Sequence, residues 1–381
     1  MWLLSNKNSL LMKDFIGSKI RDIFSKIPLA KNLSRQKFIS EFTLGVIKSR
    51  NVQFKEVGLQ FTTDAKVESN ERRIQSFFKD FEFDYEQVAL LLVMFLPKGK
   101  LSLSIDRTEW DFGTYQCNIL MIVARYEDVG IPLFWDLLDN KSGNSSTQNR
   151  KDLIGKVISL VGTDRIGVIV GDREFIGHEW LKYLKDNNIR FCMRMPKSHL
   201  ITLGNTNVHS VAELLSTQNE RYYQRCMIDG IWCDLMLKRL PDGDFLILAG
   251  NLPAKQLGGV YRSRWSIEVF FQSAKERGFN LENTHLKSSK KIKKLLVFVS
   301  IAAGICINIG KRHHRKVKKI KVKKNGYKSN SFFRKGLDIL REGLRKPNQG
   351  FVKMWERVLS IFIRWIQMQL PNYQRLIKII G

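Results

Sequence analysis

Apolar positions recur about every four residues through the first part of the chain. Phe38, Phe42 and Val46 lie four apart behind Ser34, which could cap the helix that carries them. A short helix around Val57 and Leu59 follows. A third, near Glu71 to Lys79, sets Arg72 and Arg73 beside Ile74, Phe77 and Phe78. Three short helices with cations on the last outline a helix-turn-helix-like DNA-binding unit, and equally a plain helical packing domain.

At Leu101 the period changes from four to two. LSLSID alternates and predicts a strand with Asp106 at its C-terminal end. Strands near Gln116 to Val123 and Ile131 to Leu137 come next. The polar loop DNKSGNSS then leads into a helix through Leu160, opened by a Ser145/Gln148 capping box. IGVIVGD reads as a buried strand ending at Asp172. A helix over roughly Ile176 to Lys185 and a strand near Ile189 to Met193 complete the segment. From Met195 to about Gly250 the text is strand-like, with turns at LPDGD and LGNTN. A long helix begins near Val260. An apolar helix around Leu295 to Ile309, a basic loop and a C-terminal helical stretch with Trp355 and Trp365 follow. The apolar run is 15 residues long and holds Ser300 and Asn308, so it suits a buried helix better than a membrane span. No internal repeat is present.

Charge narrows the partners. The 381 residues hold 64 Lys+Arg against 36 Asp+Glu, a net +28, which attracts polyanions: nucleic acid first, an anionic membrane second. From Lys287 onward there are 25 basic and 3 acidic residues, and ten basic residues with no acid between Lys311 and Lys328. The bland reading of such a run is a solvated, partly disordered loop, and either way it adds phosphate affinity. The five cysteines form no CxxC pair and sit near no His at zinc-ligand spacing, which suits a reducing cytoplasm. The N-terminus, MWLLSNKNSLLMKDF, predicts no signal peptide.

Candidate chemistry lies in YRSRWSIEVFFQSAK. On one continuous helix Arg264, Glu268 and Lys275 would fall at about 300°, 340° and 320° from Tyr261, on one stripe. That stripe could hold a metal ion beside phosphates, or be an exposed face with i,i+4 and i,i+7 pairing. Two strand-end aspartates change the balance. Phosphodiester cleavage needs a nucleophile, a stabilised leaving oxygen and charge neutralisation, which two metals held by carboxylates supply. Adjacent strand ends could bring Asp106 and Asp172 together, and a helix packed on the sheet could bring Glu268 to them.

These residues carry a resemblance. Tyr261, Arg264, Glu268 and Lys275 fill the spacing Tyr-x2-Arg-x3-Glu-x6-Lys, SIDRTEW surrounds Asp106, and GDREFIG surrounds Asp172. In this the chain resembles insertion-sequence transposases of the IS4 type, over roughly Leu33 to Leu344. The resemblance implies an α/β fold, with an RNase H-like catalytic core carrying a β-rich insertion, an N-terminal helical DNA-binding domain and a C-terminal basic helical segment. It divides the chain into 1–95 for DNA binding, 96–194 and 258–310 for the core, 195–257 for the insertion, and 311–381 for the basic loop and terminal helices. Asp106, Asp172 and Glu268 would hold two Mg²⁺ ions, with Mn²⁺ able to substitute. Tyr261, Arg264 and Lys275 would contact DNA phosphates, and Arg173 is a further candidate contact.

The expected function is cleavage at terminal inverted repeats, followed by joining of the 3′-hydroxyl ends to target DNA. The expected partner is double-stranded DNA bound by a homodimer in a bacterial cytoplasm, at the nucleoid and away from membranes. A nuclease with the same core, or a transposase-derived DNA-binding protein that no longer cuts, are the rivals. Trp232 could stack a flipped base or sit in a core or sheet face. Trp110 and Trp265 read as packing residues, Glu109 and Glu174 as helix or surface acids, and His313 and His314 as phosphate-facing or solvated.

Overall fold

A computed structural model describes residues 17–380 apart from 113–114, 140–142, 205–207, 215–218, 276, 325, 327 and 347. The N-terminal segment to Phe15, and parts of the DNKSGNSS loop and the LGNTN turn, lie outside the described residues. The chain forms two compact units. One holds residues to Pro97, Trp110–Cys117 and Val269 onward; the other holds Lys98–Glu109 and Asn118–Glu268.

The first unit is helical: α1 (17–26), α2 (Leu33–Ser49), α3 (Phe54–Gly58), α4 (Val67–Asp80), α5 (Tyr85–Met94) and, late in the chain, α10 (Ser289–Lys316), α11 (Phe332–Arg345) and α12 (Gln349–Ile380). Its core is built on the four-residue repeat. Phe38 and Phe42 of α2, Phe77 and Phe78 of α4 and Phe298 of α10 pack as one ring cluster with centroid distances of 4.1 to 6.0 Å between helices, Phe38 stacked on Phe77 and the other pairs between helices tilted. Asn32, not Ser34, caps α2, accepting from the amides of Ser34 and Arg35. Helix α10 is long and apolar enough to cross a membrane, but 89% of its apolar window is buried in the protein. It packs on α2, α4, α5 and α11, as a core helix does. The basic run begins inside it: Lys311 to Lys316 are helical, and only the residues after them form a loop.

The second unit carries the change of period. Its strands are β1 (Leu101–Phe112), β2 (Tyr115–Tyr126), β3 (Val129–Leu138), β4 (Ile166–Gly171), β5 (Phe191–Arg194), β6 (Leu200–Leu203), β7 (Val208–Ser210), β8 (Glu220–Ile228), β9 (Ile231–Arg239) and β10 (Phe245–Gly250). They form one sheet in the order β3-β2-β1-β4-β5-β10-β9-β8-β6-β7. β1, β4 and β5 run parallel, and β10 joins β5 antiparallel, so the late strands extend the same sheet. Helix α6 (Thr147–Val161) packs on β3 and on α7 (His178–Asp186). Helix α8 (Ala254–Tyr261) packs on β4, β5, β9 and β10, and Leu257 and Tyr261 join Val170, Cys192, Met236 and Leu248 in a buried cluster.

Two local expectations are corrected. The capping box of α6 is Ser146 with Asn149, one residue later than expected. Ser145 is instead drawn to Glu174, and Gln148 bonds Asp152. The helix expected from Val260 is also not continuous. α8 stops at Tyr261, a 3₁₀ turn covers Arg262–Arg264, and α9 runs from Trp265 to Ala274.

Candidate active site

Strand β1 does not end at Asp106; it continues to Phe112. Its parallel neighbour β4 does end, at Gly171. The register pairs Ile105 with Gly171, so Asp106 and Asp172 follow side by side on adjacent strands. Each carboxylate is held by the next backbone amide: Arg107 N–H donates to Asp106 Oδ1 and Arg173 N–H to Asp172 Oδ1, both at 2.8 Å.

The 3₁₀ turn brings the third acid. A hydrogen bond of 3.2 Å from Ser104 Oγ to the Ser263 carbonyl ties the turn to β1. Residues three apart eclipse in a 3₁₀ turn, and residues four apart neighbour one another in an α-helix. Tyr261, Arg264 and Glu268 therefore stay on one side despite the break. Arg264 is the centre: its guanidinium lies 3.2 Å from Asp106 Oδ2 and 3.9 Å from Asp172 Oδ2, and it donates to Glu268 Oε1. Its Cζ stands 5.7 Å from the centre of the Tyr261 ring. The Tyr261 hydroxyl is buried with no hydrogen-bond partner among the described residues.

The electrostatics follow from burial. Desolvation pushes the Asp106 carboxyl up from 3.8 to about 6, against the opposing pull of Arg264 and the Arg107 amide. Burial raises the Tyr261 phenol. Burial also disfavours the Arg264 charge, but Tyr261, Glu268, Asp106 and Asp172 together outweigh it.

Lys275 lies past the end of α9 in the first unit, where it pairs with Glu282 at 2.8 Å and stands 5.8 Å from the Trp110 ring centre. Arg173 is half-exposed and 3.7 Å from Asp244. Around that same carboxylate stand Lys197 at 2.7 Å and Arg194 at 3.9 Å, and Arg194 also reaches Asp172 at 4.0 Å. Arg194 was not singled out in the sequence; the only signal was its place one residue after Met193, the partner of Gly171 on β5.

Other expectations shift. Glu174 is mostly buried and accepts from Arg107 Nε at 3.0 Å and from Ser145 Oγ at 2.8 Å, so it is no surface acid. Trp110 packs in the first unit's core as expected, but Trp265 is 57% exposed, and Trp232 is 48% exposed on strand β9, which leaves a sheet-face place and rules out a core one. His314 accepts from the Ile320 amide and meets the Phe332 ring, so it is engaged within the protein.

Three carboxylates directed at one guanidinium leave a net charge of −2. That oxygen-rich, acidic set suits a hard divalent cation. Among the described residues no three acidic, His or Cys side chains are grouped closely enough to hold an ion.

No curated protein matches the chain. Among solved structures, the cryo-EM structure of a piggyBac transposase synaptic complex with hairpin DNA is similar, with a TM-score of 0.42 and 13% identity over 94% of this chain and 84% of that one. Residues 104–305, over half of the sequence, span both aspartates and Glu268 and match the transposase DDE domain. The chain belongs to the DDE transposase family.

Proposed function

We propose that this DDE transposase is the IS4-type transposase of an insertion sequence, with Asp106, Asp172 and Glu268 as its metal ligands. The observation that carries the reading is the meeting of these three carboxylates, from two parallel strands and one helix, on the single guanidinium of Arg264. The strand order β3-β2-β1-β4-β5, with parallel β1, β4 and β5, supports an RNase H-like core, and β6 to β10 supply the β-rich insertion.

Two divalent ions, Mg²⁺ or Mn²⁺, would supply nucleophile activation, leaving-group stabilisation and charge neutralisation when bound. Asp106, Asp172 and Glu268 would hold them. Arg264 lies within reach of all three acids, and a DNA phosphate is a natural further counter-charge for it. Tyr261 can offer its unpartnered hydroxyl to the same phosphate, and Arg173 and Lys275 add cationic contacts. Residues 1–95 would bind the inverted repeats and the basic segment after residue 311 would add phosphate contacts. Two protomers would act together, because two ends must be cut and joined, and the work would take place at the bacterial nucleoid.

The test is end cleavage on a plasmid carrying the DNA that flanks the gene. Mg²⁺-dependent breaks confined to the element ends, absent with Glu268→Ala and absent in Ca²⁺, are expected. Equal cleavage by Glu268→Ala would remove the ligand assignment. Scattered cuts would point to a nuclease, and binding without any cut to a protein that no longer cleaves.

A further inference from the structure

We propose that the ion pair between Arg107 and Glu174 is a positioning clamp that sets the spacing of Asp106 and Asp172 for divalent-ion binding. The inference rests on the reading of those two aspartates as ligands.

The argument begins where the sheet stops. The backbone ladder joining β1 to β4 ends at the Ile105/Gly171 pair, because β4 ends there. Beyond that rung no strand pairing fixes the distance between the two segments, and both aspartates lie immediately beyond it. Arg107 directly follows Asp106, and Glu174 lies two residues after Asp172. Their side chains close the gap with a hydrogen bond of 3.0 Å from Nε to Oε2, at only 17% and 13% exposure. The backbone amide of Arg107 orients the Asp106 carboxylate, so a restraint on Arg107 acts on the ligand through one peptide unit.

Both ends of the clamp are themselves anchored. Arg107 Nη1 donates to Asn118 Oδ1 at 3.2 Å and to Glu109. Glu174 Oε1 accepts from Ser145 Oγ at 2.8 Å, and Arg150 stands 4.0 Å from it. Arg150 also donates to Ser145 Oγ and lies 5.1 Å from the Phe175 ring centre. A pair with so many cross-links is a rigid spacer, and metal sites need their ligands placed to within about 0.2 Å. A pair that served only the fold would matter to stability and be indifferent to ion affinity.

The experiment is a calorimetric Mn²⁺ titration of the full chain without DNA, for wild type, Glu174→Gln, Arg107→Lys, the double variant and Asp106→Asn. Glu174→Gln keeps an acceptor for Ser145, and Arg107→Lys keeps the charge while losing the fork. Melting temperature and affinity for duplex DNA are measured alongside. Each single variant is expected to weaken Mn²⁺ about 10- to 100-fold, the usual effect of losing a residue that orients a metal ligand. The double variant should be no worse than the singles, because both remove the same link. Melting temperature should fall, as for any mostly buried pair that loses one partner, while DNA affinity should move little. If Glu174→Gln fails to fold, Arg107→Lys decides alone. Mn²⁺ binding that is lost in Asp106→Asn but unchanged in the clamp variants overturns the clamp and spares the ligands. Binding equally insensitive to Asp106→Asn overturns the ligand reading and the clamp with it.

Discussion

Asp106 illustrates what a buried acid in such a site costs its own fold. Its carboxyl is raised to about 6, chiefly by burial, against an ordinary 3.8. The folded chain therefore holds this proton more tightly than the unfolded one. The group's contribution to stability is full below about pH 4 and is lost as pH rises through about 6. Asp106→Asn, which keeps the acceptor for the Arg107 amide, removes that loss. In metal-free buffer the variant is expected to gain about 1–3 kcal/mol over wild type at pH 7, from about 1.4 kcal/mol per pH unit of displacement. The gain should shrink toward zero as pH falls from 6 to 4. Urea unfolding at a series of pH values measures it, and a variant no more stable than wild type at pH 7 would show that Arg264 already compensates the burial. Arg264→Ala has the opposite expectation. Three carboxylates would face one another unpaired, at a cost of about 3 kcal/mol in chelator, and Mg²⁺ should restore part of the lost melting temperature. No restoration by Mg²⁺ would argue against an ion taking the guanidinium's place.

Elements were legible where local pattern decides them, and less so where distant parts decide. The switch from a four-residue to a two-residue period at Leu101 marks the start of β1, and the apolar run after residue 295 is the interior of α10. The break at Arg262–Arg264 is absent from the helical pattern, since a 3₁₀ turn and an α-turn place Tyr261, Arg264 and Glu268 almost alike. Lys275 follows the end of α9, so the angle read from one straight helix does not carry through to it. The Arg107–Glu174 link was invisible because its partners are 67 residues apart and each has a bland local reading. The cap of α6 was off by one because Ser145 and Ser146 are equivalent in sequence, and only the fold gives Ser145 to Glu174. Ser146→Ala should therefore cost about 1 kcal/mol, read by chemical unfolding. The contact between α10 and α11 is stricter. A Cβ on Gly336 would stand 1.7 Å from the Cys306 carbonyl oxygen, and one on Gly310 1.9 Å from that of Phe332. Both obstacles are backbone, so Gly336→Ala has to push the helices apart, and a loss of about 3 kcal/mol is expected. An unchanged unfolding midpoint would mean that the two helices can slide.

For the molecule as a whole, the decisive quantity is a net charge of +28, of which +22 lies from Lys287 onward. Such an excess is unfavourable to a compact chain through self-repulsion, and it makes sense where a polyanion neutralises it. Lys318, Lys319, Lys321, Lys323 and Lys324 are all exposed after the end of α10, in a stretch with no acid to offset them. If they meet phosphates, they release counterions from the duplex, and each neutralised phosphate contributes about 0.9 to the slope of log affinity against log salt. Replacing the five with Gln should lower that slope by about 2 or more and weaken binding to any duplex alike, since phosphate contacts carry no sequence information. The preference for element ends over unrelated DNA should survive, because that preference comes from contacts to base edges and from duplex shape. Fluorescence anisotropy from 50 to 300 mM salt, with an end duplex and a scrambled one, separates the two effects. A slope equal to wild type would mean that the run stays solvated when DNA is bound. A loss confined to the end duplex would mean that the run reads sequence, and the recognition assigned to the N-terminal helices would then belong at least partly to the segment after α10.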